Sequence, residues 1–171
     1  MKNEPKVSIV MGSQSDLETL QQAADVLREF GIAHELRIIS AHRTPDAAHR
    51  FATSAEERGV KLIIAGAGKA AHLAGVMASL TLLPVIGVPM KTSDLGGLDS
   101  LLSTVQMPGG IPVATVAIGK AGARNAALLA VAILAQQDKD LRERLAAYRA
   151  EMTRSVEEAD SELCAKGTAE G

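Results

Sequence analysis

Aromatic residues are scarce in this chain. Two phenylalanines, one tyrosine and no tryptophan occur among 171 residues, although hydrophobic residues make up 47%. Proteins that bind single-stranded nucleic acids stack bases on aromatic side chains, and proteins that bind duplexes carry basic clusters. Here the formal net charge is −2, and no run of Lys or Arg exceeds two residues. These absences argue against nucleic acid as a partner and indicate a closely packed aliphatic core.

Cysteine and long apolar runs are also nearly absent. The one cysteine, Cys164, cannot form an internal disulfide and excludes a cysteine-rich metal site. The first residues lack the apolar segment of a signal peptide, and no apolar run reaches the length that spans a membrane. We therefore expect a cytoplasmic protein with no metal site and no membrane partner.

Short β-branched runs alternate with helical segments along the chain. The predicted strands lie at 6–11, 33–40, 60–66, 83–90 and 111–118, and the later helices at about 70–80, 98–105 and 122–137. This order favours an α/β protein, a flavodoxin-like three-layer α/β/α sandwich with a central five-stranded parallel sheet. The length predicts a single catalytic domain over 1–166, followed by a flexible tail at 167–171.

A long C-terminal helix is predicted over residues 138–163. Its apolar positions recur at helical spacing and form one stripe, made of Leu141, Leu145, Tyr148, Met152 and Val156. No strand follows it, so the stripe must cover its own domain or a neighbouring subunit. We favour the intersubunit interpretation.

The loops after the first two predicted strands carry groups that suit a phosphorylated ribose. "GSQSD" supplies Ser13 and Asp16 at a helix start, where hydroxyls and amides bind phosphate and a carboxylate can accept from ribose hydroxyls. "SAHRTP" supplies Ser40, His42 and Arg43. A guanidinium binds phosphate, and an imidazole exchanges protons near neutral pH. Because ligands of parallel sheets bind beyond the strands' carboxyl ends, we expect these loops to converge.

Two helix starts are predicted from the same loops. Ser15 and Glu18 have the spacing of a capping box, which would begin the first helix. Thr44 is a suitable N-cap before Pro45, which would begin the second.

The turn "GAGKAAHLAG", residues 66–75, matches G-x-G-x-x-A, one form of the dinucleotide-binding fingerprint. That fingerprint requires an acidic residue roughly 20 positions further on, at the tip of the next strand. The tip here offers Lys91, and Asp94 comes several residues too late. The turn also follows the third strand instead of the first. These departures argue against a nicotinamide or flavin enzyme, and leave either an anion-binding turn or a turn tightened by glycine alone.

Several motifs together resemble a known family. "MGSQSD", "SAHRTP", "IAGAGKAAHLAG", "LPVIGVP" and "GLDSLLSTVQMPGGIPVATVAIGKAGARNAALLA" follow one another from about Val7 to Leu134. In this order they resemble the class I PurE family, the N5-carboxyaminoimidazole ribonucleotide (N5-CAIR) mutases of purine biosynthesis. The resemblance implies a homo-octamer that moves a carboxylate from the exocyclic nitrogen of N5-CAIR to ring carbon 4, giving CAIR. It implies no ATP, metal or organic cofactor.

The resemblance also implies a role for each site residue. Ser13 and Arg43, helped by Ser40, would bind the phosphate, Asp16 would hold the ribose hydroxyls, and His42 would be the general acid and base. The glycine turn would close over the imidazole and the migrating carboxylate through five residues, Gly68, Lys69, Ala70, His72 and Leu73.

The chain departs from the family pattern within that turn. The family's "GAGGAAHLPG" becomes "GAGKAAHLAG", with Lys69 in place of a glycine and Ala74 in place of a proline. Lysine adopts a positive φ less readily than glycine. The turn must therefore use an ordinary backbone conformation at Lys69 or accept strain.

Three alternative functions remain open from sequence. A class II enzyme would carboxylate aminoimidazole ribonucleotide with free CO₂, but "SAHKT" and an "AGRSN"-type loop would be expected there. A non-catalytic module could bind a ribonucleotide without turning it over. A dinucleotide oxidoreductase is the third alternative, and the missing acidic residue argues against it.

Overall fold

The structure, a computed structural model, describes residues 4–167. Within that range the chain divides into two compact units, one up to Ala130 and one from Val131 onward. The single catalytic domain over 1–166 stays a prediction. Apart from Gly167, the tail predicted to be flexible lies outside the described residues.

A five-stranded parallel sheet forms the centre of the first unit. Its order is β2-β1-β3-β4-β5, with β1 Val7–Met11, β2 His34–Ile38, β3 Leu62–Ala67, β4 Val85–Pro89 and β5 Ala114–Thr115. This is the flavodoxin-like order, with its switch point between β1 and β3. The predicted fold class is therefore confirmed.

Helices cover both faces of this sheet. They are α1 Leu17–Glu29, α2 Pro45–Thr53, α3 Leu73–Leu80, α4 Leu98–Val105 and α5 Gly119–Leu134. Neighbouring residues of β3 point to opposite faces, as they do in any strand. Ala65 belongs to a buried cluster with Phe51 of α2 and Met77 of α3, whereas Gly66 faces Leu20 of α1. The apolar runs of β1, β3 and β4 are buried, as expected for strands covered on both sides.

The fifth strand is much shorter than the predicted 111–118. Only Ala114 and Thr115 pair with β4, opposite Ile86 and Gly87. β5 is the outer strand of the sheet, and Pro112 has no N–H to donate to a ladder. The apolar pattern of this segment therefore reflects residues that are mostly half-exposed, not a full central strand.

One of the two predicted helix caps is wrong. Ser13, not Ser15, forms a capping box, and its partner is Asp16, around a 3₁₀ turn at Gln14–Asp16 that precedes α1. Thr44 is the N-cap residue of α2, which begins at Pro45 as predicted, but its side chain makes no capping hydrogen bond. Its hydroxyl instead donates to the Ser40 carbonyl at 2.9 Å and accepts from the Ser40 N–H at 3.0 Å. The hydroxyls of Ser13 and Thr44 thus stabilise the loops after β1 and β2, in which the predicted site residues lie.

The second unit contains the end of α5 and the long helix α6, Lys139–Gly167. The helix begins one residue later and ends four residues later than the predicted 138–163. Met152 and Val156, from the predicted apolar stripe, are 55% and 70% exposed. An intersubunit role for this stripe stays a prediction.

Candidate active site

A cleft of about 590 Å³ lies in the first unit, where the loops after β1, β2, β3 and β4 meet. Its lining contains all ten residues singled out from sequence, which are Ser13, Asp16, Ser40, His42, Arg43, Gly68, Lys69, Ala70, His72 and Leu73. The carboxyl ends of parallel strands share one edge of the sheet, so loops distant in sequence converge there. The expected convergence is therefore observed, and the roles of the individual side chains stay proposals.

Arg43 is held in place by hydrogen bonds to the loop after β1 and to its own loop after β2. Its Nη2 donates to the Gly12 carbonyl at 2.9 Å. Its backbone N–H donates to Ser40 Oγ at 3.1 Å, and its Nε reaches the same oxygen at 3.5 Å. With Thr44 bonded to the Ser40 backbone, the loop after β2 carries the guanidinium to the start of α1.

Asp16 lies half-buried beside that guanidinium. Its Oδ2 accepts the Ser13 N–H at 3.1 Å, and Ser15 Oγ donates to Ser13 Oγ at 3.0 Å. Burial raises the pKa of the Asp16 carboxyl above its ordinary value of 3.8, against opposing effects of the Ser13 N–H, the Ser15 hydroxyl and the Arg43 charge. The carboxyl therefore loses more hydration on folding than these donors replace.

Two histidines from different loops contact each other in the cleft. His42 Nε2 and His72 Nδ1 are 2.8 Å apart, and their rings meet edge to face with centroids 4.9 Å apart. One nitrogen carries the hydrogen and the other accepts it, so each ring determines the tautomer of its partner. His72 is the N-cap of α3 and uses its side chain for this contact instead of capping. The sequence placed His72 near the cleft but gave no sign of the pair.

Lys69 adopts a left-handed backbone conformation with φ of 58°. Among the described residues, every other positive φ belongs to a glycine. The Lys69 N–H donates to the buried Ser100 Oγ at 2.9 Å, and Ser103 Oγ donates to the Lys69 carbonyl at 3.3 Å. Two serines of α4 therefore hold the strained residue. The helix predicted over about 70–80 ends as expected but starts only at Leu73.

Packing against neighbouring side chains explains the two glycines of the turn. A Cβ on Gly66 would lie 2.5 Å from Met90 Cε and 2.7 Å from Leu20 Cδ1. A Cβ on Gly68 would lie 3.3 Å from Met90 Cβ. Gly66 is absent from the cleft lining and Gly68 is part of it. The tight packing of the strand end explains Gly66, so only Gly68 is placed to approach a ligand.

The segment after β4 was missed as part of the site. Met90, Lys91, Thr92 and Ser93 all line the cleft. From sequence, this tip was noted for Lys91 in place of the acidic residue of a dinucleotide site, and the lysine was given no role. In a parallel sheet the loop after β4 lies at the same edge as the other three loops. The sequence could therefore have predicted that this loop belongs to the site.

The described part of the chain offers neither a membrane-spanning helix nor a metal-binding cluster. Between residues 4 and 167, no helix is both long and apolar enough to cross a membrane. Over the same residues, His, Cys, Asp and Glu side chains form no group of three or more that could hold a metal ion.

The fold and the cleft together define a class. The chain is a flavodoxin-like α/β protein with a polar cleft at its switch point, lined by an arginine, a carboxylate and a histidine pair. A family model described as AIR carboxylase matches residues 6–155. The chain belongs to this family.

Known proteins similar to the chain include N5-carboxyaminoimidazole ribonucleotide mutases. The one from Pyrococcus horikoshii is 60% identical over 159 residues, covering 92% of this chain and 89% of the relative. The one from Bacillus subtilis is 54% identical over 160 residues, covering 94% and 99%. The crystal structure of Treponema denticola PurE superposes with a TM-score of 0.84 at 32% identity, covering 93% of this chain and 98% of that one.

Proposed function

We propose that this protein converts N5-CAIR to CAIR, as an N5-carboxyaminoimidazole ribonucleotide mutase of purine biosynthesis. Relatives with this name are 54–60% identical over about nine-tenths of the chain. The observation that carries the proposal is the 2.8 Å contact between His42 and His72, in a cleft that also holds Arg43. Together these groups offer proton transfer beside a phosphate-binding guanidinium.

The loops after β1 and β2 are proposed to bind the ribose phosphate. Arg43 pairs with the phosphate, aided by the Ser13 and Ser40 hydroxyls, because a guanidinium presents several donors in one plane. Asp16 accepts hydrogen bonds from the vicinal ribose hydroxyls. Its proximity to Arg43 and its raised pKa are consistent with a carboxyl poised to accept new donors from a ligand.

His42 is proposed to move one proton in each direction. Protonated His42 gives its hydrogen to the carbamate nitrogen, the C–N bond breaks, and CO₂ and aminoimidazole ribonucleotide form. Ring carbon 4 then attacks CO₂ to give a tetrahedral adduct, and neutral His42 removes the ring hydrogen. The histidine ends as it began, and no redox step or external reactant is needed.

His72 is proposed to orient His42 through their shared hydrogen bond, as a third group orients the base in other acid–base sites. The turn after β3 packs over the aminoimidazole ring of the substrate and confines the CO₂ that is released. Its residues are Gly68, Lys69, Ala70 and Leu73. Confinement and positioning are the main requirements, because recapture competes with escape to solvent.

The test separates the mutase from a class II carboxylase. The purified protein is given N5-CAIR in one assay, and aminoimidazole ribonucleotide with bicarbonate in another, at equal ribonucleotide concentration. CAIR formation is expected to be efficient only with N5-CAIR. Efficient turnover of the second mixture would indicate the class II reaction, and tight binding without turnover of either would indicate a non-catalytic module.

A cytoplasmic homo-octamer is proposed for the assembled enzyme. Helix α4 leaves Leu98, Leu102 and Val105 between 46% and 53% exposed, and β5 is an outer strand with only two paired residues. Such surfaces are typical of subunit interfaces. The number of subunits follows from the family resemblance, and we extend the proposal to the stripe of α6. Native mass spectrometry tests it, and a monomer would contradict it.

A further inference from the structure

The strongest unexplained feature of the cleft is Lys69. A lysine is strained in the left-handed region, where glycine is not. Its side chain makes an ion pair with Asp94, with Nζ and Oδ2 2.7 Å apart. These side chains are 69% and 61% exposed. Because exposed ion pairs contribute little to stability, the pair does not explain why a strained lysine is present.

The location of this ion pair suggests what it does. Lys69 belongs to the turn after β3, which lines the cleft, and Asp94 directly follows Ser93, the last lining residue of the segment after β4. Both charges are exposed to solvent. The ion pair therefore joins two neighbouring loops, the turn after β3 and the loop after β4.

Helix α4 and its N-cap residue hold both of the loops that this ion pair joins. Ser100 and Ser103 of α4 hold the Lys69 backbone. On the other side, Thr92 Oγ1 donates to Asp99 Oδ1 at 2.8 Å and accepts from the Gly97 N–H at 3.0 Å. The same helix thus anchors both loops, and the ion pair adds an exposed contact between them.

We propose that Lys69 and Asp94 form a strap between the turn after β3 and the neighbouring loop after β4, which restrains this turn over the cleft and so reduces escape of the CO₂ released during turnover. The inference rests on the proposed mutase reaction. Lys69 acts here as a positioning residue, since its ammonium is engaged by Asp94 and not by the reacting atoms. The pairing raises the pKa of Lys69 and lowers the pKa of Asp94, so both groups stay charged across the neutral range.

Retention of labelled carbon tests the strap directly. N5-CAIR carrying ¹³C in its carboxylate is turned over with excess unlabelled bicarbonate and carbonic anhydrase, so that escaped CO₂ is diluted at once. Mass spectrometry of the products gives the ratio of escaped carbon, measured as aminoimidazole ribonucleotide plus unlabelled CAIR, to the carbon retained in labelled CAIR. Lys69→Gly and Asp94→Asn are each expected to raise this ratio about two- to fivefold, the usual influence of an exposed ion pair on a two-state equilibrium.

Matched variants separate the strap from a structural effect. Lys69→Arg keeps the cation and should keep retention near wild type, whereas Lys69→Gly relieves the backbone strain and should lose retention without losing thermal stability. The double variant should be no worse than either single one, because both remove the same contact. Arg28→Gln, which breaks an equally exposed pair with Asp25 outside the cleft lining, is the control.

Salt gives an independent readout. Added sodium chloride should lower retention in the wild type and leave Lys69→Gly unaffected, because exposed charges are screened. Turnover with equal label retention in the wild type, Lys69→Gly and Asp94→Asn would overturn the strap alone. Absence of any CAIR from wild-type protein would overturn the proposed function, and the strap with it.

Discussion

The two sides of the cleft are built differently. The side formed by the loops after β1 and β2 is held mostly by contacts between near neighbours, such as Ser13 with Asp16 and Ser40 with Thr44. The side formed by the turn after β3 is held by residues about thirty positions away, since Lys69 bonds to Ser100 and His72 to His42. Within the proposed phosphate-binding side each loop is therefore held by local sequence, and the bond from Arg43 to the Gly12 carbonyl joins the two loops. The proposed reacting side depends on the assembled fold.

The largest effect is expected from removing the imidazole of His42, which links the two sides of the cleft through His72. His42→Asn is expected to lower turnover of N5-CAIR by about 10²–10⁴-fold, the usual contribution of a general acid or base. Binding of the ribonucleotide, measured by calorimetry, should change little, because the phosphate contacts remain. His49→Asn, on α2 and outside the cleft lining, is the matched control. Near-normal turnover in His42→Asn would contradict the catalytic role.

The proposed phosphate-binding side is tested by Arg43→Lys. The substitution keeps the charge but loses the planar donors, including the bond to the Gly12 carbonyl. Affinity for the ribonucleotide should fall about 10- to 100-fold, the effect of one charge-assisted hydrogen bond. Arg50→Lys, on α2 and outside the cleft lining, is the control and should bind as the wild type does. Equal affinity of the Arg43→Lys variant and the wild type would remove Arg43 from the proposed phosphate site.

The distant anchoring of the other side is tested by Ser100→Ala. This buried hydroxyl accepts the Lys69 N–H, and its loss leaves that donor without its partner. Unfolding free energy should fall by about 1–3 kcal/mol in denaturant titrations. Turnover should fall with it, while phosphate affinity is kept. If turnover and affinity fell together, the two sides would not be independently held.

The smallest expected effect concerns Asp16 and pH. Burial raises the pKa of this carboxyl above its ordinary value of 3.8. The native state therefore holds the proton to higher pH than the unfolded state, and the wild type loses stability as pH rises from about 3.8 through the native pKa. Asp16→Asn removes this loss.

Melting temperatures of the wild type and of Asp16→Asn, measured as a function of pH, test this expectation. Relative to wild type, Asp16→Asn should gain stability as pH rises through this window, and then keep a constant difference. The asparagine oxygen can still accept the Ser13 N–H, so the loop geometry is kept. A difference that does not vary with pH would show that the carboxyl is not desolvated on folding.

Much of the fold follows from local pattern. The apolar runs of β1, β3 and β4 are buried on both sides, so their composition alone predicted central parallel strands. The outer strand β5 has the same composition but lies at the sheet edge, and pattern overstated its length. All ten proposed site residues line the cleft. Parallel topology predicted that the loops after the strands converge, and the family resemblance supplied Lys69, Ala70 and Leu73.

What sequence missed depends on long-range geometry. Nothing near Lys69 indicates that Ser100 would hold it with a positive φ, because that requires α4 to lie beside the turn. The contact between His42 and His72 joins residues from two loops and needs both ring orientations. The cap at Ser13 is a different kind of miss, since Ser13 and Asp16 have the same spacing as the chosen Ser15 and Glu18.

Gly66 has a practical consequence for engineering. Its missing side chain leaves room for Leu20 from α1 and Met90 from the end of β4, both closer to the site of a Cβ than real contacts allow. Any side chain there would require the ends of the Leu20 and Met90 side chains to shift. Attempts to widen the enzyme's acceptance of other heterocycles should therefore leave this position alone and vary solvent-facing residues of the fourth loop, such as Lys91 and Ser93.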